Sequence, residues 1–167
     1  MKQKGFTIVE LLIVIVVIGI LAAITIVSFN GVQNRAHDTA IRSNLSAIAK
    51  KYELFKADSP SDKYPYGNGG ATGLEAGAVP VSKNSYDIIV NYNLLNCTSA
   101  ANPGVDYAML AISKSGKKLW IGSNSSGVQE YGGAIIWGEL SMCSSVLPDS
   151  SGNGAGRGSG LWRPWAS

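Results

Sequence analysis

Glu10 is a carboxylate set near the start of a long apolar run, four residues beyond Phe6. An ionisable side chain in such a segment is costly in lipid, so Glu10 demands a partner. A cut after Gly5 would create one, because the new α-amine of Phe6 would be a cation one helical turn away and each charge would then need the other. Glu10 near a helix start also complements the macrodipole. The only histidine, His37, has Asp38 beside it, but neighbours one apart on a helix do not face each other. That pair reads as solvated surface, not as a catalytic dyad. The sequence has no cluster of metal ligands, no nucleophile motif and no phosphate-binding glycine loop between strand and helix. The expectation is therefore no catalytic residue, no metal site and no cofactor.

The element that must carry Glu10 is a helix. From Leu11 to Asn34 there are 24 residues without a formal charge, and up to Phe29 only Gly19, Thr25 and Ser28 are not plainly apolar. That length matches a hydrocarbon core of about 30 Å at about 1.5 Å per residue, and a lone segment crossing lipid satisfies its backbone only as a helix. The leader Met1-Lys2-Gln3-Lys4-Gly5 places its lysines before the run, which predicts a cytoplasmic N-terminus and an outward C-terminal domain. Leu21-Ala22-Ala23-Ile24-Thr25 offers no good small-x-small cleavage site of the conventional secretory kind. Beyond Phe29 the helical signal continues, with Ile41, Leu45, Ile48, Tyr52 and Phe55 on one face. One helix is predicted from about Thr7 to Ala57, stopped by Ser59-Pro60.

The remaining chain is long enough for one modest domain. Asp58 to Pro80, rich in Ser, Pro, Gly and Asn, reads as a surface loop, and Tyr86 to Tyr92 as a strand or extended segment. Val105–Ser113 and Lys118–Ser123 form the clearest hairpin, and a second turn at Asn124–Gly127 leads to Val128–Tyr131, giving a three-strand antiparallel meander. Its apolar face is expected to cover the helix residues from Ile41 to Phe55. The fold class is thus α+β. Cys97 and Cys143 lack His or Cys companions, so outside the cytoplasm they predict a disulfide, with two buried free thiols as the alternative. Ala134–Trp137 reads as a strand or helical turn. Pro148 to Gly160 is dominated by Gly, Ser and Asn, and Trp162 and Trp165 behind it read as a docking tail, on its own domain or on a neighbour.

The short basic leader, Gly5, Phe6 and Glu10 together resemble the type IV pilin family, which includes the pseudopilins of type II secretion. The resemblance is tight over roughly the first 30 residues and general beyond them. It implies cutting between Gly5 and Phe6 by prepilin peptidase, N-methylation of Phe6, and assembly into a helical filament in which Glu10 meets the Phe6 amine of a neighbouring subunit. The fold it implies is a long hydrophobic helix packed on a C-terminal antiparallel sheet. The corresponding organisation is a leader over 1–5, a transmembrane and filament-core helix over 6–29, an amphipathic helical half over 30–58, a sheet domain over 59–147 and a tail over 148–167. Removing Lys2 and Lys4 would leave 12 basic against 11 acidic residues, so no broad nucleic-acid footprint is expected.

The function implied is that of a structural subunit of a type IV pilus, serving adhesion, twitching motility or DNA uptake. Its implied partners are copies of itself, the prepilin peptidase, the assembly platform with its motor, the cytoplasmic membrane before assembly, and a surface or host cell afterwards. A type II secretion pseudopilin is the alternative within the family, and a membrane-tethered enzyme or receptor the alternative outside it. Many family members have a glycine at the position of Gly19 and a proline where Val27 stands here. Glycine weakens a helix by about 1 kcal/mol and proline by about 3, so the isolated subunit is expected to keep its helix through Gly19.

Overall fold

The computed structural model describes residues 5–66, 81, 83–86, 94–99, 101–133, 141–147 and 150. Helix α1 runs from Ile8 to Asp58 and is continuous across Gly19. A 3₁₀ turn, Lys83–Ser85, follows, then strands β1 (Leu94–Thr98), β2 (Tyr107–Ile112), β3 (Lys118–Gly122) and β4 (Gln129–Glu130) and a short helix α2 (Ser141–Val146). The strands form one antiparallel sheet in the order β1-β2-β3-β4. The chain divides into two compact units, one up to Arg35 and one from Ala36 onward.

Packing in the second unit follows the side-chain periods. Ile41, Leu45, Ile48 and Tyr52 of α1 are buried in one cluster with Leu94, Tyr107, Met109, Ala111, Leu119 and Ile121, the alternate residues of three strands. The opposite face of the sheet has a core of its own, in which Cys97, Ala108 and Leu110 meet Cys143 and Leu147, with Trp120 packed at the side. The disulfide between Cys97 and Cys143 bolts α2 to β1 at this face. Strand β2 is consequently buried on both sides, which is why Tyr-Ala-Met-Leu-Ala-Ile shows no polar alternation.

Two expectations change, the strand count of the meander and the burial of Phe55. The meander has four strands, because Leu94–Thr98 pairs with β2. That strand is invisible to a search for alternation, since Leu94 belongs to the helix-side core and Cys97 to the other. Of the Tyr86–Tyr92 segment, Tyr86 makes an isolated bridge to Ser113, and residues 87–92 lie outside the described residues. Phe55 is not buried but 43% exposed. It sits in the last turn of α1, and the position against Tyr107 is taken by Tyr64 of the returning chain, whose ring lies 4.7 Å from that of Tyr107. The leader residues 1–4, the end of the Asp58–Pro80 loop, Ala134–Trp137 and nearly all of the tail from Pro148 also lie outside the described residues.

The return after α1 depends on Gly104. Its φ of +81° is left-handed, and a Cβ there would lie 2.5 Å from a Tyr66 ring carbon and 2.9 Å from the Tyr64 carbonyl oxygen. The Tyr64 amide donates to the Gly104 carbonyl at 2.8 Å, locking the two segments together. Gly104→Ala is expected to destabilise the domain by about 2 kcal/mol or more. Gly116→Ala, which has a similar φ of +87° but open space around it, is expected to cost only the backbone strain of about 1–2 kcal/mol. Thermal melts of the two full-length variants in detergent check the difference.

Tyrosines supply a pH signature. Burial is the first cause that pushes the Tyr64 phenol up to about 12, aided by its hydrogen bonds to Glu53 at 2.9 and 3.1 Å. Burial likewise pushes Tyr86 up to about 12, against the opposing hydrogen bond from Asn44. Folded protein keeps these protons where the unfolded chain, titrating near 10, begins to lose them. Their contribution is complete below pH 10 and falls away as the pH rises towards 12. Tyr64→Phe is expected to make alkaline unfolding less steep, as read from denaturation midpoints across that range.

Candidate functional site

The N-terminal unit is an apolar surface without cover. Among its described residues, Phe6, Ile8, Leu11 through Ile18, Leu21 and Phe29 are all about half exposed or more, and the most apolar 18-residue window of α1 has a mean hydropathy of 3.2. Lipid or other apolar helices must cover such a surface.

At its head, Gly5, Phe6 and Thr7 precede the helix and are exposed. Phe6 is 88% exposed, and nothing lies within 4 Å of a Cβ built on Gly5. The Gly5–Phe6 bond is therefore accessible, and this chain's own packing does not require a small residue at position 5. Thr7 is the N-cap. The Glu10 amide donates to Thr7 Oγ1 at 3.2 Å, while the Thr7 amide donates to Glu10 Oε2 at 2.8 Å. The Thr7 hydroxyl also donates to Glu10 Oε2 at 2.8 Å. This is a reciprocal capping box, which satisfies backbone donors that the first turn leaves open.

The sequence reading assigned Glu10 a partner after cleavage and passed over the one it has before. Thr-Ile-Val-Glu is the capping-box pattern, and that spacing could have exposed Thr7's role. In the uncut chain the Phe6 nitrogen is an amide and carries no charge, so the carboxylate is held by Thr7 alone among the described residues.

His37 and Asp38 are not a solvated pair. Both are half-buried. His37 Nδ1 lies 3.3 Å from the Ser85 hydroxyl, whereas Asp38 accepts from the Ser115 hydroxyl and lies 4.0 Å from Lys117 Nζ. They serve to tie α1 to two turns. Nearby, Arg42 and Lys117 bind Glu130 at 3.1 and 2.8 Å, and the Lys117 ammonium is the main cause holding the Glu130 carboxyl below its usual value. These exposed pairs orient the edge strand more than they stabilise it. Among the described residues no group of three His, Cys, Asp or Glu side chains is placed to hold a metal.

The prokaryotic N-terminal methylation motif matches residues 1–26. Over 143 residues the chain is 28% identical to the type IV wide pilus major component PilA4 of Thermus thermophilus, covering 85% of this chain and 98% of that protein. The chain is thus similar to a type IV pilus component over most of its length. A type II secretion system core protein G from Escherichia coli is 32% identical over 93 residues, 55% of this chain and 59% of that relative. The type IV major pilin protein PilA of Myxococcus xanthus is 38% identical over 63 residues, 38% of this chain and 28% of the relative. No solved structure matches the chain significantly.

The capping box gives a direct expectation. Thr7→Val removes the hydroxyl and should cost about 1 kcal/mol at the helix start, so that the amides of the first turn exchange with solvent about fivefold faster. Thr7→Ser should restore slow exchange, as read by hydrogen–deuterium exchange of the full chain in micelles.

Proposed function

We propose that this chain is the structural subunit of a type IV pilus, made as a membrane-anchored precursor and polymerised into a surface filament. The observation that carries this reading is similarity along nearly the whole length of a wide pilus major component, joined to an N-terminal apolar helix whose described residues are exposed. Its work is mechanical, and no catalytic role is assigned to it. Prepilin peptidase cuts between Gly5 and Phe6 and the Phe6 amine is methylated. The partners are further copies of the chain, with the assembly platform and motor that add and withdraw them. Retaining the leader on the cytoplasmic side leaves the sheet domain outside, and the filament then serves adhesion, motility or DNA uptake. The second reading, a secretion pseudopilin, is favoured by the matches to core protein G, but these cover the chain less completely than the pilus component does.

Assembly in this scheme is an exchange of partners. Cutting after Gly5 releases a cationic amine, and an incoming subunit's Glu10 leaves a local cap for the Phe6 amine of the subunit before it. In a low-dielectric surrounding the charge pair disfavours misregistered docking more than it adds net stability.

Two substitutions separate the cap from the charge. Glu10→Ala removes both, whereas Glu10→Gln keeps an oxygen suited to a capping box and loses only the charge. Both variants are expected at normal level in the membrane with the yield of sheared filaments sharply reduced. Normal filament yield from Glu10→Ala would overturn electrostatic docking, and a defect confined to Glu10→Ala would assign the function of Glu10 to the cap. Mass spectrometry of the same filaments reads the mature N-terminus and its methylation.

A further inference from the structure

From Ala36 onward, the large hydrophobic residues left exposed among the described residues are Leu54, Phe55, Tyr66 and Val105. Phe55 and Tyr66 line one groove with Tyr64 and Pro65, about 350 Å³ in volume, and Val105 follows Gly104, where a Cβ would lie 2.5 Å from a Tyr66 ring carbon. The rings are already presented for stacking. Lys56 Nζ stands 4.6 Å from the centre of Tyr64, and Lys63 Nζ 5.8 Å from that of Tyr66. Beside it stands Glu53, whose carboxylate accepts from the groove residue Tyr64.

The chain leads back towards this groove. Tyr64 packs on Tyr107, Tyr107 pairs with Thr98 and Ala108 with Cys97, and the Cys97 and Cys143 α-carbons are 5.4 Å apart. From there the Leu147 amide donates to the Cys143 carbonyl at 2.8 Å and the Ser150 amide to that of Leu147 at 3.2 Å. Ser150 is thus tied to the sheet end that carries the groove, on the opposite face of the sheet. Ser151 to Gly160 is almost wholly Gly, Ser, Asn and Ala, after which come Leu161, Trp162, Arg163, Pro164 and Trp165. Eleven residues from Ser150 can reach about 36 Å at about 3.3 Å each, several times the roughly 10 Å between packed layers.

We propose that the segment Leu161–Trp165 docks in the groove formed by Phe55, Tyr64, Pro65 and Tyr66 of the same chain. An indole fills the apolar floor and stacks on the half-exposed ring of Tyr66, and Arg163 meets the Glu53 carboxylate. The Gly/Ser spacer keeps the effective concentration of the segment high. The tail is thereby an internal cover for the one exposed apolar patch described on the sheet domain.

The test places a photo-reactive benzophenone amino acid at Trp165 in the full-length protein in detergent micelles. Cross-links within one chain to residues 55–66, with a yield unchanged on about tenfold dilution, are expected. Phe55→Ser combined with Tyr66→Ser should lower that yield by about tenfold, while the linked Cys97–Cys143 peptide and the melting temperature show that the domain remains folded. A yield that falls with dilution would mean that a second copy occupies the groove, and cross-links only to other segments, or none, would also overturn the proposal.

Discussion

An apolar helical surface whose described residues stand exposed is the constraint on which the rest of this structure depends. The residues from Leu11 to Phe29 are too long and too apolar to stand in water, and their helix leaves no polar group for lipid to object to except at its head. Two environments satisfy the same surface, a bilayer before assembly and neighbouring copies afterwards. Because both are apolar, moving between them changes little in hydrophobic energy, so polar groups at the helix start must discriminate the assembled state from the dispersed one.

In the proposed assembly this discrimination falls to Glu10. Its carboxylate already holds the Thr7 amide and hydroxyl, so it is never an orphan charge while the precursor waits. A capping interaction is worth about 1 kcal/mol, weak enough to be exchanged for a fully charged partner. The chemistry at the N-terminus therefore needs no rearrangement of the sheet domain. That domain is built to be rigid, with the helix face from Ile41 to Tyr52 closing one side of the sheet and the disulfide-linked α2 closing the other.

The acid–tyrosine and lysine–tyrosine contacts at the end of α1 play a different part. Tyr64 folds back onto Tyr107 and hydrogen-bonds Glu53, and Gly104 admits the close approach. The helix is thus terminated not only by Pro60 but by a tertiary lock. This lock displaces Phe55 to the surface and creates the groove beside Tyr66.

The sequence by itself determined the long helix, its apolar span, the face from Ile41 to Tyr52 and the β2–β3 hairpin, because each is a local period that one stretch of chain declares. It also marked Gly5, Phe6 and Glu10, whose types and spacing are set along a single turn. Thr7 was legible in the same way and was passed over, since Glu10 was read for its charge and not for the backbone donor it satisfies. Only the tertiary structure decided the rest. Strand β1 belongs to two cores at once, so it shows no alternation that a single sequence can reveal. The burial of His37 and Asp38 depends on turns 48 and 77 residues away, as Ser85 and Ser115 lie at those distances in the chain. The exposure of Phe55 depends on which of two aromatic side chains reaches Tyr107, a competition for one volume that periodicity cannot rank.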